Sequence, residues 1–499
     1  MAGEGGSDFV ITREGLLRRH AGWLAGGGAS LVAAVLIYLT KGNLFVIPAL
    51  CGAVIFAVVL FRHLELGIYI LLAAALVLEQ FQIFGIPYVW ALQVPMYLNL
   101  NLVTGIGPLV VNPVECLLGV MVLFWFIRAT ISREWHLQSI PNFWTAVVFL
   151  GMLVFFTLYG LATGGDFKVA LWEIRALYYL CALYFLTSQV IRTRRQVKTC
   201  IWIIILSLGF KGMEGCWRFF VMLGGSLEGV PAITGHEDAL FLSTAFILMI
   251  AFLLLGYRRA ELPVLLAFFA PMFFTFIVTQ RRVAYGTFFF SCLIVFAMLD
   301  REKKNMALKL AAPFLLLGMV YTGVFWNSHS SLALPIQQVK SIFVEGEEED
   351  SSNVYRKVED YNLEKTIRAH PLGLGFGQKY LILIPLDKVD FPLWDYIPHN
   401  CLYWMWAKTG FVGFTIFWMF FGTALMQAVQ DYKLSRDPYY KAVGLMVICF
   451  IFSQIVIAKF DLQITFYRNM IYLGTAMALL TSVRRLDAEE RAEEDAASP

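Results

Sequence analysis

The sequence predicts an all-α polytopic membrane protein with about 14 transmembrane helices, both termini on the inner face and one long outer loop carrying a surface helix. Three observations predict it. Of 499 residues, 59% are hydrophobic and only 15% charged, with a mean hydropathy of +0.68, whereas soluble domains carry about 25% charged residues. Crossing the hydrocarbon core takes about 20 apolar residues. Such runs recur near 22–40, 44–61, 66–85, 112–128, 143–163, 169–191, 198–222, 238–257, 262–280, 284–300, 307–327, 400–428, 441–459 and 464–482. Finally, with the N-terminus inside, 22 of the 39 basic residues fall on inner segments, including the Arg192–Lys198 and Arg301–Lys309 clusters. The reverse orientation puts both clusters outside, against the positive-inside rule.

Taken in order, 1–21 is an inner N-terminal segment and 22–327 holds helices one to eleven. No A-x-A-like cleavage site follows the first span, so it is expected to be retained. The ninth and tenth spans are separated only by residues 280–284. Residues 328–399 form the large outer loop, 400–482 the last three helices, and 483–499 an acidic tail expected to fray. A net charge of +3 and the lack of a basic, aromatic-interleaved patch argue against a nucleic-acid partner. The eight cysteines form no CxxC pair and read as small hydrophobes rather than a disulfide or zinc framework. Neither a fixed-period repeat nor paired broken spans emerge.

Arg281 and Arg282 stand out. The span 262–280 ends on the outer face and leaves both guanidiniums there, where retained charge is expensive and usually functional. A doubled cationic fork suits phosphate or diphosphate. In the outer loop, the acidic run Glu345–Asp350 lacks EF-hand spacing and reads as a solvated turn. After Ser352 the periodicity turns helical: Val354, Val358, Tyr361 and Lys365 make one stripe, and Arg356, Asp360, Leu363 and Ile367 its neighbour. Ser351 or Ser352 caps the start, and Pro371 stops the helix. Arg356 then lies on a half-buried face, where a surface carboxylate could also hold it. Gly373, Gly375 and Gly377 are either a phosphate cradle or a flexible re-entry loop. His399 and Asn400 precede the twelfth span, where a lone histidine is ordinarily a cap.

The stretch HNCLYWMWAKTGFVG changes that balance. His-Asn, nine residues and Gly-x-x-Gly at the outer start of a late span resembles the signature of the O-antigen ligase and polysaccharide polymerase superfamily. YRKVEDYNLEKTIRAHPLGLGFG looks like its arginine helix with an HPxGxGxG segment. TQRRVAYG is similar to its Ser-Arg-Gly-Ala element, and WEIRALYYLCALYFL around Arg175 to a family span. The resemblance covers roughly 140–480. Arg282 matches the family's span-end arginine, Arg356 its loop arginine and His399 its histidine. Arg281 replaces the expected serine and Val283 the glycine, leaving open which arginine holds the ligand. ITGHEDALFL departs from the family's asparagine, so His236, Glu237 and Asp238 are candidates outside the resemblance.

The resemblance implies a metal-independent, cofactor-free glycosyltransferase of the bacterial inner membrane, active at the periplasmic face in O-antigen or exopolysaccharide assembly. It implies a glycan donor on a polyprenyl diphosphate such as undecaprenyl diphosphate, a sugar-hydroxyl acceptor, and the lipid bilayer and other polysaccharide export proteins as partners. The residue chemistry agrees. A departing diphosphate needs fixed cations, which Arg281, Arg282 and Arg356 supply, with Arg175 a further contributor or a structural partner of Glu173. An attacking hydroxyl must shed a proton, for which His399 is the base or orienting group. Glu173, Glu237 or Asp238 are alternatives, and Asn400 and Gly375 further substrate-binding candidates. Fourteen spans favour a polymerase. The alternatives are a ligase acting on lipid A-core and, from another class, a polysaccharide or lipid transporter, for which only Lys211, Glu214 and Arg218 offer mid-span charge.

Overall fold

The computed structural model describes residues 30, 34, 46–78, 96–101, 110–131, 137–227, 230, 232–328, 333, 336–337, 340, 351–387 and 391–497. The expected first span, but for Ser30 and Ala34, and the acidic run at 345–350 lie outside them. The chain divides into two units, 1–64 and 65–499. The first contains α1 (Val46–Arg62), an apolar helix ending on Arg62.

The second unit takes α2 (Leu64–Val77) from its second residue onward, followed by α3 (Pro113–Ile131), α4 (Phe143–Ala162) and α5 (Phe167–Val190). Next come α6 (Arg194–Trp217), which runs into a π turn at Arg218–Met222, α7 (Asp238–Leu255) and α8 (Glu261–Val278). They are followed by α9 (Arg282–Met298), α10 (Arg301–Phe325), α11 (Ser351–Ala369), α12 (Cys401–Leu434), α13 (Pro438–Ile457) and α14 (Tyr467–Ala497). Among the described residues there is no strand. Nine helices among the described residues are long and apolar enough to cross a membrane: α3 to α5, α6 with its π turn, α7, α8, α10, α12 and α13. Of the remaining expected spans, α9 is apolar but short, with 17 residues. The polar residues Arg468, Asn469, Arg484 and Arg485 dilute α14, which is not among the nine.

The apolar core lies around α7 and α13, whose hydrophobic windows are 89% and 78% buried, while α10 buries none of its own. α5 packs along α14, α7 against α13 and α6 against α8. The α6–α8 pair meets backbone to backbone, because a Cβ on Gly212 would lie 2.7 Å from Met272 N. Small residues at helical spacing permit such an approach. Charged side chains inside the described spans find polar partners. Lys211 pairs with Glu214 at 2.9 Å, as their spacing predicts. Arg218 instead donates to the carbonyl of Ile233.

The acidic tail corrects the expectation of a frayed end. α14 continues as helix to Ala497. Ser435 Oγ donates to buried Asp487 at 3.0 Å, and Tyr440 Oη to Glu490 at 2.9 Å. Packing to α12 and α13, rather than apolar composition, holds this segment.

Candidate active site

The expected break between the ninth and tenth spans is real and sharp. α8 closes at Thr279, and α9 begins at Arg282. Between them Gln280 adopts φ +56°, the one positive φ outside glycine among the described residues. A residue with a Cβ held there costs about 1–2 kcal/mol, and such strain gathers at functional sites. The turn leaves Arg281 as N-cap of α9 without a capping hydrogen bond. Burial lowers the pKa of its guanidinium, Asp461 and Glu237 oppose that, and nearby Arg356 adds to it. The group still stays charged. Its Nε is buried and lacks a hydrogen-bond partner. Arg282, the first residue of α9, is half-buried and has an interaction of its own.

α11 forms where the periodicity predicts it, from Ser351 to just before Pro371. One face carries Tyr355, Arg356, Glu359 and Asp360. Arg356 Nε and Tyr355 Oη are buried and, like Arg281 Nε, have no hydrogen-bond partner. Burial, reinforced by Glu359 and Asp387, pushes the Tyr355 phenol up to about 12, which keeps it a neutral donor. Glu359 is only 2% exposed and sits against His399. The backbone N–H of His399 donates to Glu359 Oε2 at 2.8 Å, and Nδ1 lies 3.3 Å from both carboxylate oxygens. The Tyr355 ring meets the imidazole edge-on at 5.6 Å. One residue on, Asp360 accepts from Asn400 Nδ2 at 2.6 Å and from Lys459 at 2.9 Å.

The glycines explain why α11 can lie there. α12 is broken at Gly410, whose φ of 62° and ψ of −170° suit glycine alone. The break frees the carbonyls of Ala407 and Lys408, and the HPLGLGFG loop takes them: Leu374 N–H donates to Ala407 at 2.9 Å and Gly375 N–H to Lys408 at 2.8 Å. Phe411 N–H donates in turn to Pro371. A Cβ on Gly375 would lie 2.3 Å from Gly160 Cα, so the loop also presses onto α4. Gly377 N–H donates to Glu173, and the same carboxylate pairs with Lys408 at 2.6 Å, both side chains essentially buried. Helical rise places His399 about 14 Å from this break, at the head of a nine-residue segment that α11 flanks.

Across from α11, the α13–α14 connection supplies Asp461. Burial opposes its charge, yet His236, Gln463 and Arg281 together hold its carboxyl below the usual range. His236 Nδ1 lies 3.9 Å from Asp461 and is itself without a hydrogen bond.

Arg281, Arg356 and His399 are thus gathered at one end of the bundle, with Glu237 at the edge of the group. Other candidates have different employment. Arg175 is 1% exposed and pairs with Glu115 at 2.8 Å rather than with Glu173. It also donates to Asn99 and to the carbonyl of Val110. Asp238 is fully buried on Arg468 at 2.5 Å, with Glu237 3.6 Å from the same arginine. Asn400 caps α12, accepting from Tyr403 N–H at 3.1 Å. The Gly375 amide is engaged by Lys408 and is not a free phosphate donor. Sequence reasoning passed over Glu359, Tyr355 and Asp461 as site residues. Glu359 was legible only as Arg356 plus three, on the same helix face, and Asp461 had no sequence signal.

No curated protein matches the chain. Residues 244–418 match a protein-family model described as O-antigen ligase, and that stretch holds the α8–α9 arginines, the Arg356 helix, the glycine loop and His399. The match supports glycan transfer of the O-antigen ligase/polymerase type, with lipid-linked donor and acceptor substrates in a membrane. Together with the apolar helices it points to a multi-pass protein of the bacterial inner membrane. The chain carries, over residues 244–418, an O-antigen ligase-like domain.

Proposed function

We propose that this protein transfers a glycan from a polyprenyl diphosphate to a sugar hydroxyl at the periplasmic face of the inner membrane. The observation that carries the reading is a pair of arginines from different segments, Arg281 and Arg356, within electrostatic reach of each other and each with a buried, unpartnered Nε. Burial lowers the Arg281 pKa despite Asp461 and Glu237, and Arg356 adds to that, an arrangement that an incoming anion would relieve. A diphosphate is the anion a membrane-tethered glycan donor brings.

The acceptor oxygen attacks the anomeric carbon as the bond from that carbon to the diphosphate oxygen breaks. The departing lipid diphosphate gathers negative charge, which the two guanidiniums stabilise in a water-poor setting. His399 takes the acceptor proton. Of the doubled arginines, Arg281 is the clasp, because it faces Arg356 and Asp461. The acceptor is another lipid-linked repeat in a polymerase and lipid A-core in a ligase. Span number does not separate them, since among the described residues nine helices are long and apolar enough to cross a membrane and that number fits either.

The test uses purified protein in detergent with radiolabelled lipid-diphosphate glycan and either acceptor. Linkage formed without a sealed vesicle, and elongation of one acceptor over the other, is the expected result. Transport of the donor in vesicles with no linkage formed would overturn the proposal in favour of a transporter.

A further inference from the structure

We propose that Glu359 is the positioning residue that fixes the proton of His399 on Nδ1 and leaves Nε2 open to the acceptor hydroxyl. This rests on the glycan-transfer reading above.

The argument starts from burial. A carboxylate 2% exposed is costly unless its oxygens are matched. The matched donors at Glu359 both come from His399: the backbone N–H at 2.8 Å, and Nδ1 at 3.3 Å from Oε1 and Oε2 alike. An ionised carboxylate only accepts, so Nδ1 must be the donor and carry the proton. Neutral imidazole has one N–H, so Nε2 is then the acceptor, and a ring 30% exposed can present it to the site. The backbone contact fixes the distance, and the side-chain contact fixes the tautomer. Asp360 repeats the arrangement on Asn400, so two adjacent carboxylates of α11 grip two adjacent residues at the start of α12.

The placement ties base to donor clasp. Arg356 and Glu359 are three residues apart on α11 and share a face. One rigid helix therefore carries the group that meets the diphosphate and the group that orients the base. Around His399 lie Glu359 and Tyr355 on α11, then Asp360 through Asn400 and Lys459 through Asp360, with Arg356, Arg281 and Asp461 in the same group. Of these, Glu359 alone contacts a ring nitrogen in the described residues.

Glu359→Gln is the sharp test. The glutamine oxygen can keep the backbone N–H of His399, but its NH2 then faces Nδ1 and makes that nitrogen an acceptor. The proton moves to Nε2, where it blocks the base. The expected result is a kcat loss of at least about 100-fold with donor KM and melting temperature near wild type. Glu359→Asp, which keeps the charge, should recover part of the rate. An unchanged kcat in Glu359→Gln overturns the proposal. A measurement independent of any variant at 359 is the 15N spectrum of histidine-labelled wild type, with His399 assigned by difference against His399→Ala. An Nδ1–H signal is expected and an Nε2–H signal overturns it. Should wild type form no glycosidic linkage, the functional reading fails while the tautomer is still measured.

Discussion

The two ends of the helix bundle hold arginines in different surroundings. At the end formed by the C-terminal turns of α12 and α14, Arg194 is closed in by Asp437 at 2.5 Å, Glu490 at 3.2 Å and the Tyr440 ring at 5.0 Å. Arg491 there meets Asp487 at 3.1 Å, and Arg484 lies 3.6 Å from Asp431. At the opposite end Arg281 and Arg356 lie near one another with Nε atoms buried and unpartnered, and Asp461 and Glu237 answer only part of the charge. Matched charge holds helices together. A desolvated guanidinium whose Nε lacks a hydrogen-bond partner is a candidate site for an anion. The difference lies in what each guanidinium faces.

The contrast is broken most directly by removing one arginine from each end. Arg281→Ala or Arg356→Ala should lower linkage formation by about 10²–10³-fold with normal membrane insertion. Arg194→Ala should leave the rate within about twofold and cost about 1 kcal/mol or less of stability, since its side chain is 35% exposed. Rate assays and thermal melts of the purified variants check both. Equal rate losses at the two ends would remove the distinction.

The frame beneath the site gives the next largest effects. Lys408→Met leaves the buried Glu173 without its cation and should destabilise by about 3–5 kcal/mol, with much of that recovered on adding Glu173→Gln. Gly410→Ala places a Cβ 2.4 Å from the Leu372 carbonyl carbon in a conformation reserved for glycine. A loss on the order of 3 kcal/mol is expected, read as a lower melting temperature with release of the 371–377 loop to proteolysis.

Asp461→Asn sharpens the comparison with the smallest change. It removes a carboxylate that partly answers Arg281, so inorganic pyrophosphate should bind a few-fold more tightly. The native Asp461 carboxyl is held below its free value of 3.8. Its stabilisation is therefore fully present above that pH and declines as pH falls below it. Melting temperatures taken from pH 7 to pH 3 should fall less steeply in Asp461→Asn than in wild type.

Much of the site's outline was written in local pattern. α11 was legible from a helical stripe and Pro371, and the chain break at 280–284 from the interruption of an apolar run. The Gly-x-x-Gly spacing marked Gly410 and Gly413, although what it encodes is the hand-over of the Ala407 and Lys408 carbonyls to Leu374 and Gly375. Arg175 misled, because an arginine within a span looks functional until its partners Glu115 and Asn99, more than 50 residues away, are in place. The acidic tail misled in the other direction, since its helix is held by Ser435 and Tyr440 from distant turns.

The sequence by itself determined the class of fold, the helix-forming segments, and a short list of cations and one histidine at their ends. Those follow from interactions within a few residues: apolar length, helical period, and glycine or proline at a break. Only the tertiary structure decided which cations meet carboxylates and which keep a buried Nε without a hydrogen-bond partner, and that Glu359 contacts His399. Electrostatic pairing acts across space between residues that the chain separates by tens or hundreds of positions, and no local spacing records it.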